Sequence, residues 1–189
     1  LVTSWRASFC GNAQNQTTLL KISTARAGNV LGGGDWAKDR IVPDAIRALS
    51  SKTEIIIRNK NSCRPWQHVL EPLFGYVLLA EKLTFDQGMV YQAPFNFGPS
   101  IDNNKKVSEL VSEIIKYWSG EWIEDLKYKP HESKLLNLNV DKSFNLLGWE
   151  TKWDFKKTIK KTIMWYIDVE KKQDAYERCR KDINEYINT

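Results

Sequence analysis

The chain has 189 residues, 42% of them hydrophobic and 27% charged, with a formal charge of +5; this is ordinary globular composition and enough length to bury a core. No apolar run is long enough to span a bilayer, and residues 1–6 lack the basic start and long apolar stretch of a secretory signal, so a soluble, cytoplasmic protein is expected. Cys10, Cys63 and Cys179 have no CxxC spacing, and neither His68 nor His131 has a His or Cys at ligand spacing, which argues against a disulfide framework and a metal site.

Residues 1–9 read as the end of an amphipathic helix, and since the first residue is Leu1, the sequence is expected to be the downstream part of something longer. After a polar loop at 11–16, an apolar strand over 19–27 runs into Gly28-Asn29-Val30-Leu31-Gly32-Gly33-Gly34-Asp35-Trp36. A small site is expected there, because ligands on parallel α/β sheets sit at the carboxyl ends of strands, where glycines leave room and free N–H groups. The spacing predicts a short helix over 45–49 with Pro43 in its first turn, a β-branched strand over 54–58 and a further extended piece over 64–69. A helix over 72–83, apolar around most of its surface, is expected to be packed inside. A short strand over 95–97 follows, then an amphipathic helix over 107–118, a strand over 122–128 and the polar stretch 130–134. A short helix is expected from Asp141 as its cap to Gly148, and then a Lys-rich helix over 153–166 that continues toward the C-terminus. Alternating strands and helices make the fold α/β.

The positive excess concentrates in the last third, where Lys156, Lys157, Lys160, Lys161, Lys171 and Lys172 alternate with Ile159, Ile163, Trp165 and Ile167. That pattern is a solvated face over a buried one, so nucleic acid is not an expected partner and an anionic small molecule is. Arg64, stiffened by Pro65 and beside Trp66, suits a bidentate grip on a phosphate; a local pair with Glu71 is the competing role. Arg40 and Arg58 would complete a diphosphate site or sit at the surface. Trp36 and Trp66 would stack on a base or sugar, with core filling the competing role for Trp66, and His68 would be a base or a hydrogen-bonded structural residue. There is no P-loop and no GxGxxG after a strand, and the three glycines at 32–34 are not the dinucleotide fingerprint.

Taken together, Ala25 to Trp36, Asp39-Arg40-Ile41-Val42-Pro43-Asp44, Arg64 to Leu73, Asn96-Phe97-Gly98-Pro99 and Leu146-Leu147-Gly148-Trp149 resemble the CDP-glucose 4,6-dehydratases of the extended short-chain dehydrogenase/reductase family. The resemblance implies the C-terminal part of an NAD-binding Rossmann-type fold with a smaller α/β substrate-binding lobe. Residues 1–36 would end the Rossmann-type part and 37–189 would be mainly the lobe, with 71–99 returning a helix and strand to the Rossmann sheet. It implies NAD as cofactor, CDP-glucose as substrate, CDP-4-keto-6-deoxyglucose as product and a homodimer when full-length. Ala27, Gly28 and Val30 would border the nicotinamide. Asn29, Arg40, Ile41, Ile56, Arg58, Arg64 and Asn96 would contact the substrate. The family's catalytic Tyr-x-x-x-Lys pair has no match here, so no catalytic residue is assigned, and the chain alone is expected to be inactive, with an exposed apolar patch.

Overall fold

The computed structural model describes residues 1–10, 20–85, 89–125 and 136–189. The polar loop at 11–16, residue 19 of the first expected strand, residues 126–128 of the last one, and the polar stretch 130–134 with His131 lie outside them. Along the chain run α1 (Val2–Phe9), β1 (Thr24–Ala27), β2 (Asn29–Leu31), α2 (Ile41–Ser50), β3 (Ile55–Ile57), β4 (Cys63–His68) and α3 (Leu70–Phe85). Then follow β5 (Pro94–Phe97), β6 (Asn104–Lys106), α4 (Val107–Tyr117), β7 (Trp122–Glu124), α5 (Asp141–Leu147), α6 (Phe155–Glu170) and α7 (Ala175–Ile187).

Strands β1 and β5 pair in parallel, as do β3 and β7, while β4 lies between β2, parallel to it, and β6, antiparallel. Gly28 is the one residue between β1 and β2, so the chain changes sheet within a single step. The Gly28 N–H donates to the Phe97 carbonyl at 3.3 Å, and the buried Gln67 amide donates to the same carbonyl at 2.9 Å. These two bonds tie the β2–β4–β6 sheet to β5. One core lies among α2, α4, α6 and the strands they cover, centred on Ile46, Leu110, Ile114, Ile159 and Ile163; a second joins α3 and α5 to β5 through Phe97, Trp149 and Leu79.

The α/β class is as expected, and several local readings are revised. What was read as one glycine-rich exit loop is partly strand, because Asn29, Val30 and Leu31 pair with Trp66, Gln67 and His68 of β4. Helix α3 is not buried all round. Its Glu71, Pro72, Gly75 and Leu79 face inward, whereas Leu73, Val77 and Phe85 are exposed. Helix α1 buries no residue, and its Trp5 and Phe9 rings pack against each other at 4.5 Å with a 41° tilt. At α5 the acceptor for the Asp141 N–H is the Asn139 side chain at 3.1 Å, so Asp141 is the first helical residue and not the cap; Gly148 ends the helix at φ 63° as expected. The C-terminal helix is interrupted at 171–174 and restarts at Asp174, whose carboxylate accepts from the N–H groups of Tyr176 and Glu177. Because α7 folds back on α6, Lys161 is not on a solvated face; it is largely covered and pairs with Asp182 at 3.3 Å and with Glu185.

Candidate functional site

A cavity of about 660 Å³ opens where β1 ends and β2 begins. Its wall contains seven of the ten expected residues: Ala27, Gly28, Val30, Asn29, Arg40, Ile41 and Arg64. Parallel pairing to β4 sets Asn29 beside Trp66, and two residues earlier on β4 is Arg64, so a sheet register brings together side chains 35 positions apart in the chain. Arg64 is half-buried and its Nη1 donates to the Cys63 carbonyl at 2.8 Å, which orients the guanidinium. Arg40, at the start of α2, donates to Asp35 at 3.3 Å and remains largely exposed. Two cationic side chains on one cavity wall suit an anionic ligand with more than one phosphate oxygen.

A smaller pocket of about 130 Å³ adjoins it, sharing Asp39, Ile41 and Val107, and there Ile56 and Arg58 are found. Arg58 donates to the carboxylate of Asp39, which holds that carboxyl below its ordinary range. Asn96 is elsewhere: its amide donates to the Asn139 carbonyl at 2.9 Å, its oxygen accepts from Arg26 at 3.0 Å, and it is not part of the cavity wall.

The alternatives left open for the aromatic and titratable residues are resolved by packing. Trp66 is core, 3% exposed, with its indole N–H donated to the Lys105 carbonyl at 2.9 Å, although one side of it also borders the cavity. Trp36 packs edge-on against Tyr166 at 5.2 Å, outside the cavity wall. Arg64 does not pair with Glu71, whose buried carboxylate accepts instead from Tyr186 Oη at 2.6 Å and the Trp153 N–H at 2.8 Å. His68 is structural: it is buried against the Trp153 ring, and its Nδ1 accepts from the Leu70 N–H at 3.3 Å. Burial, and then the nearby Lys161 and Arg178 charges, push its pKa down to about 3.

This His predicts a pH dependence. The folded chain holds His68 neutral, whereas the unfolded chain takes up a proton near the ordinary value of 6.5. Its contribution is therefore fully present above 6.5 and lost as pH falls toward about 3, with a slope of up to about 1.4 kcal/mol per pH unit. Urea midpoints at pH 7, 5.5 and 4.5 should fall more steeply for the unmodified chain than for His68→Gln. Parallel curves for the two would refute the assignment.

Among the wall residues that sequence reading did not assign, Leu136, Leu138, Asp35 and Asp39 matter most to the chemistry of the cavity. Leu136 and Leu138 come from the irregular segment before α5, and a Cβ at Gly28 would meet Leu138 Cδ1 at 3.6 Å. Asp35 and Asp39 are the ion-pair partners of Arg40 and Arg58. The alternation of acidic and basic residues over 35–40 was the available signal; for the leucines there was none, since only the tertiary fold brings them to the cavity that Gly28 lines.

No family model matches the chain. It is 35% identical over 190 residues to the CDP-glucose 4,6-dehydratase of Salmonella typhimurium, a match covering 100% of this chain and 53% of that protein. The chain resembles about half of a CDP-glucose 4,6-dehydratase. Among solved structures, the UDP-glucuronic acid 4-epimerase of Bacillus cereus, in complex with UDP-glucuronic acid and NAD, superposes with a TM-score of 0.69 at 14% identity, over 89% of this chain and 49% of that one. The dTDP-glucose 4,6-dehydratase of Bacillus anthracis, in complex with NAD, gives a TM-score of 0.60 at 18% identity, over 79% and 45%. These likenesses establish the fold: it is that of roughly half of the Rossmann-type sugar-nucleotide epimerases and dehydratases. Among the described residues no helix is long and apolar enough to cross a membrane, and no group of three or more His, Cys, Asp or Glu could hold a metal ion.

Proposed function

We propose that this chain is the substrate-binding part of an NAD-dependent sugar-nucleotide 4,6-dehydratase that converts CDP-glucose to CDP-4-keto-6-deoxyglucose and water. The observation that carries the reading is the single cavity that gathers Gly28, Asn29, Arg40 and Arg64, in a chain similar along its whole length to a CDP-glucose 4,6-dehydratase. Arg64, with Arg40 beside it, holds the diphosphate. Asn29, which carries both donors and an acceptor, orients the sugar hydroxyls.

The wall fits a flat cofactor ring. Ala27 and Gly28 expose little but backbone there, and a Cβ at Gly28 would already crowd Pro65 Cγ at 3.2 Å. Ala27, Gly28 and Val30 would hold the nicotinamide of NAD, which when bound supplies reversible hydride acceptance. Leu138, whose Cδ1 lies 3.6 Å from where a Gly28 Cβ would stand, supplies an apolar contact on the side facing Gly28. The sequence contains no Tyr-x-x-x-Lys, so no proton-transfer group is assigned to this chain, and on this reading it binds and does not turn over by itself. α1, whose Trp5 and Phe9 are about half exposed, is the surface through which the full-length protein would pair as a homodimer.

The test is calorimetric titration of CDP-glucose into the unmodified chain and Arg64→Ala. Loss of a charge-assisted phosphate contact should weaken binding about tenfold or more. The reading fails if CDP-glucose does not bind at millimolar concentration, or if the substitution leaves affinity unchanged.

A further inference from the structure

Asn96 stands apart from the cavity, yet its hydrogen bonds lead to the cavity wall. On β5 the flanking Phe95 and Phe97 are fully buried, so strand alternation turns Asn96 to the other face, where its parallel partner on β1 is Arg26. Both ends of its amide are engaged. Arg26 Nε donates to Asn96 Oδ1 at 3.0 Å, and Asn96 Nδ2 donates to the Asn139 carbonyl at 2.9 Å. A guanidinium only donates, so turning the amide over would set its NH2 against Arg26 and its oxygen against a carbonyl. The Asn96 carbonyl in turn accepts from Ser143 Oγ at 2.5 Å. Asn139 closes on Asp141, accepting from its N–H at 3.1 Å and donating to its carboxylate at 3.0 Å. The start of α5 and the backbone before it are thereby pinned to β5. Leu138, the residue before Asn139, lies outside any helix or strand and belongs to the cavity wall. It is packed between two glycines: a Cβ at Gly98 would meet Leu138 Cβ at 3.1 Å, and one at Gly28 would meet Leu138 Cδ1 at 3.6 Å.

We propose that Asn96 is a positioning residue: oriented by Arg26, it holds the backbone at Asn139 so that Leu138 forms the apolar wall beside Gly28 against which a ligand in the cavity packs. This rests on the sugar-nucleotide reading given above. Asn96 touches no ligand and acts only through Leu138. The need for it is physical. A wall residue in irregular backbone has no ladder of hydrogen bonds to fix it, and each group left to be ordered at the moment of binding weakens affinity. One amide bonded at both ends, between a strand and the Asn139 carbonyl, removes that cost before the ligand arrives. The parallel pairing of β1 with β5 also makes the wall a single unit, because Arg26 is followed directly by Ala27 and Gly28, on the other side of the same cavity.

Calorimetric titration of CDP-glucose into the unmodified chain, Asn96→Asp, Leu138→Ala and the double variant tests the assignment. Asp keeps the size of the side chain and still accepts from Arg26, but when ionised it cannot donate to the Asn139 carbonyl. Asn96→Asp should weaken binding about fivefold and Leu138→Ala about tenfold. The double variant should bind within about twofold of Leu138→Ala, since without the leucine there is nothing left to position. In the unliganded chain, the nuclear Overhauser contact between the Leu138 methyls and the Gly28 α-protons should be present and should be lost in Asn96→Asp. A role confined to stability would lower the urea midpoint of Asn96→Asp and leave its affinity within about twofold of the unmodified chain, which overturns the proposal. Additive losses in the double variant, or a Leu138–Gly28 contact that survives Asn96→Asp, overturn it too. All three results leave the sugar-nucleotide reading standing, whereas an unmodified chain that does not bind CDP-glucose overturns both.

Discussion

Replacing Glu71 with alanine should cost about 3–5 kcal/mol of folding stability, since it deletes the acceptor on which the C-terminal helices dock. Glu71 lies in the first turn of α3 and is fully buried. Its two oxygens accept from the Lys152 N–H at 3.2 and 3.1 Å, from the Trp153 N–H at 2.8 Å and from Tyr186 Oη at 2.6 Å, and its own carbonyl accepts from the Trp149 indole at 3.1 Å. Burial raises its pKa and the hydrogen bonds oppose that rise, as expected for a carboxylate kept dry only because it is surrounded by donors. Alanine leaves these donors without a partner in a dry interior, and an orphaned buried donor costs about 1–3 kcal/mol. Tyr186→Phe, which removes a single donor, should cost about 1–2 kcal/mol. Urea unfolding of the two variants measures this; a Glu71→Ala value within about 1 kcal/mol of the unmodified chain would refute the role.

Gly33→Ala should cost about 3 kcal/mol, at the upper end of overpacking effects. An added Cβ would stand 2.0 Å from Cδ2 and 2.2 Å from Cγ of Trp165. The indole has little freedom to withdraw: it is 9% exposed, donates its N–H to Cys179 Sγ at 3.2 Å and packs edge-on against Tyr166 at 5.3 Å. The loop is equally restrained, because Tyr166 Oη donates to the Asp35 carbonyl at 2.7 Å. Trp165→Ala alone should cost about 3–5 kcal/mol. In the double variant the clash is gone, so its cost should fall short of the sum by about 2 kcal/mol; full additivity would mean that Gly33 and Trp165 do not contact. Gly148→Ala is the control, with a left-handed φ of 63° and no neighbour within 4 Å of an added Cβ; there the cost should be only about 1 kcal/mol, from the backbone alone.

The two cases also separate what each kind of glycine means. From the sequence, Gly32, Gly33 and Gly34 looked alike, as residues that let a loop turn. In the fold only Gly34 has a positive φ, of 84°; Gly32 and Gly33 are glycines because Val69 and Trp165 occupy the space a Cβ would need. Trp165 lies 132 positions downstream of Gly33, and no local pattern connects them. The same reasoning explains α3. Its apolar residues go almost all round, which sequence analysis reads as burial, yet Leu73 and Val77 are exposed because no described element packs against that side.

By itself, the sequence determined the type and order of most elements, because periodicity, β-branching and Gly or Pro stops are local properties, but not β2, β6 or the break between α6 and α7. It also determined the chemistry available at the end of β1, since Gly28, Asn29 and the two arginines were identifiable from their types and their neighbours. Only the tertiary structure decided which of these residues share a space. Sheet register placed Arg64 near Asn29, a left-handed Asp39 met Arg58, and Asn96 was left in a separate network with Arg26 and Asn139. Such pairings depend on strands and helices distant in sequence, and a chain read in order records the residue types but not the packing that brings them together.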